Sequence, residues 1–207
     1  MTRGFFITLE GGEGAGKSTQ VKRLEQFLRE QGRAVLVTRE PGGTPEGEAL
    51  RDVWVKNGED WPPKDTAILM TLARSFHVRN KIRPALDAGQ IVICDRFTDS
   101  TRAYQGIVQG LGLDMIDAMT IDTIGAFEPD LTFIFDIDPA IGLARTARRK
   151  GAGETFDKAS LDFHNALRDA YRQIADRYPD RCVLIDAGQP MDAVFAAMTN
   201  ALKGRLA

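Results

Sequence analysis

The segment Gly11-Gly12-Glu13-Gly14-Ala15-Gly16-Lys17-Ser18 sets four glycines, an ammonium and a hydroxyl in the order G-x-x-x-x-G-K-[ST]. The chemistry open to such a run is the holding of phosphate. Glycines let the backbone curl until successive N–H groups converge on one anion, and a helix opening at Lys17 adds the positive end of its dipole. Lys17 then reaches the β/γ oxygens of a nucleoside triphosphate, and the Ser18 hydroxyl can ligate Mg²⁺. With Thr19 in the first helical turn, Gly11 to Thr19 form the candidate ATP-binding loop.

A second acidic group is expected beside that hydroxyl. Asp95 follows the apolar run Ile91-Val92-Ile93-Cys94, so it stands at a strand end from which a carboxylate reaches Mg²⁺ directly or through water. The alternative for such an Asp is a cap on the next helix. Arginines recur at strand ends and on helix faces: Arg39, Arg51, Arg74, Arg96, Arg145, Arg148 and Arg149. Their planar fork suits bidentate contact with phosphate oxygens, and a transfer between two anionic substrates needs more such groups than simple hydrolysis. Arg96, directly after Asp95, is read as part of the site, and Arg102 as a solvated surface residue. Guanine recognition through an [NT]-K-x-D box is not expected, because the nearest approach, Asn80-Lys81-Ile82-Arg83, lacks the acid.

These groups need elements that bring their loops together. Phe5-Phe6-Ile7-Thr8-Leu9, Ala34-Val35-Leu36-Val37, Ile91 to Cys94, Leu131-Thr132-Phe133-Ile134-Phe135 and Cys182-Val183-Leu184-Ile185 are short apolar runs, as expected of strands buried on both faces. Helical patterns separate them. One covers 17–31, with Val21, Leu24 and Leu28 on one face and Gly32 as its stop. Others cover 45–57, 63–87, two stretches between 95 and 131, 139–149, 157–178 and the chain from 191. Within 63–87, Ile68, Leu72 and Phe76 form the apolar stripe, with Met70 and Arg74 on the opposite face. The alternation predicts an α/β fold of the P-loop NTPase kind, a parallel five-stranded sheet with helices on both faces. Ligands bind beyond the carboxyl ends of such strands, which here means 11–18, 39–43, 95–105, 136–138 and 186–190.

A chain of 207 residues, 43% hydrophobic and 27% charged, is expected to form one domain over 1–207. Its formal net charge of −2 gives no reason to expect a nucleic-acid polymer or an anionic membrane as partner. Two cysteines, Cys94 and Cys182, argue against a disulfide framework or metal cluster and fit a reducing, cytoplasmic setting. The apolar run before Glu10 is too short for a signal peptide, and no stretch approaches a membrane span in length.

Taken in order, Glu10 to Thr19, Thr38-Arg39-Glu40-Pro41-Gly42-Gly43, Asp95-Arg96-Phe97, Asp99-Ser100-Thr101-Arg102-Ala103-Tyr104-Gln105-Gly106, Pro129-Asp130-Leu131-Thr132 and Asp186-Ala187 resemble the motifs of bacterial-type thymidylate (dTMP) kinases, along essentially the whole chain. The resemblance implies transfer of the γ-phosphate of ATP to dTMP with Mg²⁺, giving dTDP and ADP for dTTP synthesis, by a homodimer. It assigns Arg51 and Arg96 to the dTMP phosphate, with Glu40 and Pro41 shaping that wall. Arg74 would contact the thymine ring, Thr101 and Gln105 the base edge with Ser100 in the same dTMP-binding set, and Tyr104 the sugar, where its bulk disfavours a 2′-hydroxyl. Independently, Thr101, Tyr104, Gln105 and Val108 fall on one α-helical face at i, i+3, i+4 and i+7. Core packing is the alternative for Tyr104.

Members of the family place the transition-state arginine either in the P-loop, at the position of Gly14 here, or in a lid. This chain has no P-loop arginine, while Arg145, Arg148 and Arg149 share a helix face leading into Gly151-Ala152-Gly153. The expectation is a lid at about 145–157, with Arg148 and Arg149 supplying charge to phosphoryl transfer and Arg145 on the adenine side. The candidate catalytic set is then Lys17, Arg96, Arg148, Arg149 and Glu13. Two positions depart from the pattern. Met70 stands where the family commonly stacks a Phe on the base; a thioether can pack on a pyrimidine but is a less rigid platform. Thr155, in Glu154-Thr155-Phe156-Asp157, stands where the lid usually carries an arginine. A kinase for another nucleotide or nucleoside, and a non-catalytic ATP-binding module, remain the alternatives.

Overall fold

The computed structural model describes residues 3–147 and 159–206. Among them β1 (Phe6–Gly11), β2 (Val35–Arg39), β3 (Ile91–Asp95), β4 (Leu131–Asp136) and β5 (Cys182–Asp186) form one parallel sheet in the order β2-β3-β1-β4-β5. The helices are α1 (Lys17–Glu30), α2 (Pro45–Asn57), α3 (Pro63–His77), α4 (Arg83–Asp87), α5 (Thr98–Thr101), α6 (Leu113–Ile124), α7 (Pro139–Ala147), α8 (Leu161–Arg177) and α9 (Met191–Leu202). Wide π-helical turns occupy Val78–Ile82 and Arg102–Val108.

Side chains alternate across the pleat, so each strand feeds two cores. Ile7 and Leu9 of β1 pack with Val21, Leu24 and Leu28 of α1 and Val194, Met198 and Leu202 of α9. Phe6 points the other way, onto Val78, Ile82 and Leu86. Ile134 of β4 meets Leu167, Ala170, Tyr171 and Ile174 of α8 on that same second face. Each fully buried side chain of this kind contributes about 1.5–3 kcal/mol relative to exposure. Helices cover both faces of the sheet, as the continuous apolar strands require.

Local chemistry sets the helix ends. Gly32, at φ 74°, lets α1 close: its N–H bonds Arg29 O at 2.9 Å, and Arg33 N–H bonds Leu28 O at 3.1 Å. The Thr44 hydroxyl caps α2 by accepting from Gly47 N–H at 3.1 Å, with Pro45 in the first turn. The register then aligns the strand ends, since Leu9 and Arg39 both pair with Asp95. The loops after β2 and β3 therefore start from one rung, and β1 runs two residues beyond it to Gly11.

The structure departs from the sequence expectations at five places. The helix expected over 63–87 is interrupted by the wide turn at Val78–Ile82, just before Pro84, which has no N–H to extend an α ladder. The helix expected from 157 starts at Leu161, because the Ser160 hydroxyl accepts from Phe163 N–H at 3.2 Å and caps it there. Ile68 and Leu72 of the apolar stripe are 50% and 44% exposed; α3 turns the smaller Thr66, Ala67 and Ala73 inward beside Leu69. Val108 does not join Thr101, Tyr104 and Gln105 in lining the cavity: the π turn widens the period, and Val108 packs on the α8 cluster to which Tyr104 also belongs. Arg102 is 3% exposed rather than solvated, ion-paired with Asp99, Asp117 and Glu128. A guanidinium with three carboxylates around it is compensated for burial.

Candidate active site

The loop after β1 is bent by Gly14 at φ 69° and Gly16 at φ 88°, conformations that L side chains rarely adopt. Lys17 is buried, and its Nζ donates to Gly11 O at 2.9 Å and Gly12 O at 2.8 Å. Burial, then the nearby Arg96, hold its pKa below that of a free lysine. The Ser18 hydroxyl donates to Asp95 Oδ2 at 3.2 Å, so β3 delivers its terminal carboxylate to the first turn of α1. Two hard oxygens so placed fit Mg²⁺, which takes few protein ligands and completes its shell from phosphates and water. The loop also rests on α7: a Cβ at Gly14 would lie 1.9 Å from Gly142 O, and one at Gly142 would lie 2.4 Å from Glu13 O. No side chain fits at position 14 without displacing α7, in agreement with the absence of an arginine there.

On the other side of Glu13 lies an open cleft of about 570 Å³ counted to its mouth. Arg96 stands between the loop and this cavity. It has φ 70°, a strained value for an arginine, maintained by its surroundings. Its N–H bonds Leu9 O at 3.0 Å, and the next amide, Phe97 N–H, donates to Glu10 at 2.7 Å. The guanidinium donates to Glu13, to Ser100 Oγ at 3.2 Å and to Tyr171 Oη at 3.2 Å, and lies over the Tyr104 ring. Burial alone would raise the Glu13 pKa, but Arg96 and Lys17 outweigh it and keep the carboxyl below the ordinary value. Tyr104 O–H donates to the same Glu13 oxygen at 3.2 Å. Glu13 is thus the joint between the phosphate loop and the second cavity.

Of the residues the sequence placed around an acceptor, Glu40, Pro41, Met70, Arg74, Arg96, Ser100, Thr101, Tyr104 and Gln105 all line this cavity. Arg51 lies outside its lining, half-buried, donating to Pro41 O at 3.3 Å. Arg145 bonds Ala187 O at 3.3 Å, across the loop after β5. Arg148 and Arg149, and the lid expected at about 145–157 beyond Ala147, lie outside the described residues. Arg74 is 3% exposed; Nε donates to Glu40 at 2.8 Å and Nη2 to Thr101 at 3.0 Å, while Nη1 has no hydrogen-bond partner among the described residues. A buried donor without a partner beside a cavity is ready for a ligand acceptor.

Sequence reasoning missed four residues here. Trp54 lines the cavity one helical turn from Arg51, a spacing that could have found it. Glu10, fully buried, accepts from Phe97 N–H and from Ser100 O–H at 2.6 Å, with its pKa raised to about 7 by burial and then by Asp99. Its strand position, facing inward like Phe6 and Thr8, was the available signal. Tyr171 of α8 bonds Ser100, Glu10 and Arg96 at once, and His77 bonds Glu40 at 2.8 Å; both come from helices whose pattern gives no sign of a site.

The geometry therefore offers two anion-binding places sharing Glu13, one at a glycine bend with a lysine and one under a strained arginine. Comparison with known proteins finds relatives of the whole chain. A family model described as thymidylate kinase matches residues 9–198. The chain is 48% identical over 207 residues to a thymidylate kinase of Caulobacter vibrioides, covering 100% of this chain and 99% of that one. It is 47% identical over 203 residues to a thymidylate kinase of Alkalilimnicola ehrlichii, covering 98% and 94%. The crystal structure of thymidylate kinase from Ehrlichia chaffeensis superposes with a TM-score of 0.79 at 32% identity, over 97% of this chain and 99% of that one. Matched along nearly its whole length by the family model and by these relatives, the chain belongs to the thymidylate kinase family.

Proposed function

We propose that this chain, as one nucleoside-monophosphate-kinase-like domain over 1–207, transfers the γ-phosphate of ATP to dTMP in the cytoplasm, giving dTDP and ADP for dTTP synthesis. The observation that carries this reading is the contact of Glu13, inside the phosphate loop, with Arg96, at the mouth of the neighbouring cavity. It supports a donor and an acceptor phosphate held side by side.

The loop amides from Gly11 to Thr19 and the Lys17 ammonium hold the donor phosphates. Arg96, with Arg51 behind Pro41, binds the acceptor phosphate, and its αL backbone keeps the guanidinium from following the substrate. The free Nη1 of Arg74 meets an acceptor atom of the base, whose plane lies among Met70, Thr101 and Gln105. Tyr104, tied to Glu13, fills the space that a 2′-hydroxyl would need. Ser18 and Asp95 would hold Mg²⁺, which when bound neutralises charge on the transferring phosphoryl group. Arg148 and Arg149 are assigned to the same charge and Arg145, beside Ala187, to the adenine side.

A homodimer is part of the proposal. It is supported by α3, which packs against both α2 and α6, and by Val55, Ile68, Leu72, Met115 and Ile121, which these three helices leave exposed.

The test is ADP release with ATP and Mg²⁺ against dTMP, dUMP, dCMP, dGMP and thymidine. The expected outcome is highest kcat/KM with dTMP. Equal or better turnover of another acceptor overturns the dTMP assignment, and ATP binding without acceptor-dependent turnover leaves a non-catalytic module.

A further inference from the structure

A chain of buried hydrogen bonds runs behind the acceptor cavity. Thr38 Oγ1 lies 2.7 Å from His77 Nε2, and His77 Nδ1 lies 2.8 Å from Glu40 Oε1. Glu40 Oε2 accepts from Arg74 Nε at 2.8 Å, and Arg74 Nη2 donates to Thr101 at 3.0 Å. All five side chains are buried, His77 completely. The path is closed from outside by Gly43, where a Cβ would lie 2.5 Å from His77 Nε2 and 2.6 Å from Thr38 Oγ1.

The direction of the bonds follows from the donor inventory. A carboxylate facing a guanidinium only accepts, so Nδ1 of His77 donates to Glu40, while the Thr38 hydroxyl, able to give or take a hydrogen, pairs with Nε2. His77 and Arg74 sit three residues apart on α3 and take one oxygen each of Glu40. Glu40 and Thr101 thereby fix the plane of the guanidinium, and the direction of the unpartnered Nη1 N–H groups follows from that plane.

We propose that His77 is a positioning residue for base selection: outside the cavity lining, it fixes Glu40, and Glu40 fixes the Arg74 fork that reads the base. The proposal rests on the reading of the cavity as the acceptor site. Without the imidazole, one oxygen of Glu40 loses its donor, the carboxylate turns, and Arg74 no longer presents Nη1 in one direction. The base atom facing such a donor must be an acceptor. Thymine carries a carbonyl on the ring carbon where cytosine carries an amino donor, so the dTMP to dCMP preference reads out the position of the fork.

The experiment compares initial rates of wild-type and His77→Leu protein with dTMP, dCMP and ATP varied in turn. In the folded variant the KM for dTMP is expected to rise about tenfold, the size of one lost charge-assisted hydrogen bond. The kcat changes less than about threefold, the KM for ATP is unmoved, and the dTMP to dCMP ratio of kcat/KM falls. His77→Asn, whose carboxamide N–H can replace Nδ1–H, restores most of the dTMP affinity. In an Arg74→Met background, His77→Leu adds nothing further to the KM. A merely structural histidine would lower stability and kcat alike in both backgrounds, with no rescue by Asn, and that result overturns the proposal. So does an unchanged acceptor KM and base ratio in folded His77→Leu. If that variant fails to fold, Thr38→Val, which removes only the hydroxyl from Nε2, carries the test: a smaller rise in dTMP KM supports the proposal and no change overturns it. Wild-type protein that does not phosphorylate dTMP removes the acceptor reading and this inference together, whereas wild-type turnover with unmoved variants removes only the inference.

Discussion

Glu10 has a pKa of about 7 in the fold, against 4.5 for a free glutamic side chain, because it is buried and faces Asp99. Between those values the folded protein keeps a proton that the unfolded chain releases. The contribution is therefore fully present below pH 4.5 and is lost as the pH rises through 7. Glu10→Gln keeps an acceptor for Phe97 N–H and removes the titration. Relative to wild type, it is expected to gain about 1–3 kcal/mol between pH 5 and pH 8, read from denaturant melts at both. Parallel pH profiles for the two proteins would refute this. Around the transfer itself, Lys17→Ala is expected to lose nearly all turnover with the fold intact. Arg96→Ala should raise the KM for dTMP about 10–100-fold with a smaller loss of kcat, and unchanged acceptor kinetics would take Arg96 out of the site. At this scale the sequence is most legible where chemistry needs one residue type, as at Lys17 or Arg96. It is least legible where a charge is satisfied by partners far along the chain: Arg102 meets Asp117 and Glu128, and nothing in its neighbours announces either.

The strands were the most legible elements, because a sheet covered on both faces needs continuous apolar runs and the chain has few others. The helices that line the site were less so. An α period predicts one face from Thr101 to Val108, whereas the π turn brings Tyr104 and Gln105 to the cavity and leaves Val108 out of its lining. On α3 the spacing of Met70 and Arg74 was read correctly. The apolar stripe of Ile68 and Leu72 faces outward, and the small Ala67 and Ala73 are the buried ones, a choice that hydrophobicity alone does not reveal. The contact between the phosphate loop and α7 was invisible for a different reason, since Gly142 has no side chain to form a pattern. Gly142→Ala puts a methyl against Glu13 O. It should weaken ATP binding severalfold in equilibrium titration while costing about 1–3 kcal/mol of stability. Wild-type affinity and melting temperature in that variant would show that α7 yields freely.

For the molecule as a whole, the apolar side chains left open on α2, α3 and α6 are the feature a homodimer would cover. Leu72→Glu is expected to shift the sedimentation coefficient from dimer to monomer at micromolar concentration, since a charge in an apolar interface opposes its burial. A wild-type protein that sediments as a monomer, or a variant that stays dimeric, would move the interface away from this surface. Composition and periodicity could not locate it, because an exposed stripe and a buried one look alike in a sequence.

The alignment of Leu9 with Asp95 across two neighbouring strands has a further meaning for the reaction. Adjacent strands lie about 4.8 Å apart. An in-line transfer needs its nucleophile about 3–3.5 Å from phosphorus, and one P–O bond more separates the two phosphorus atoms. In the transfer proposed above, the phosphate loop begins at Gly11, two residues beyond Leu9, and Arg96 follows Asp95, so the register of the two strands would set the spacing between the substrates. A shift of one residue along that ladder would turn the side chains of the strand to its opposite face and carry Arg96 away from the phosphate loop.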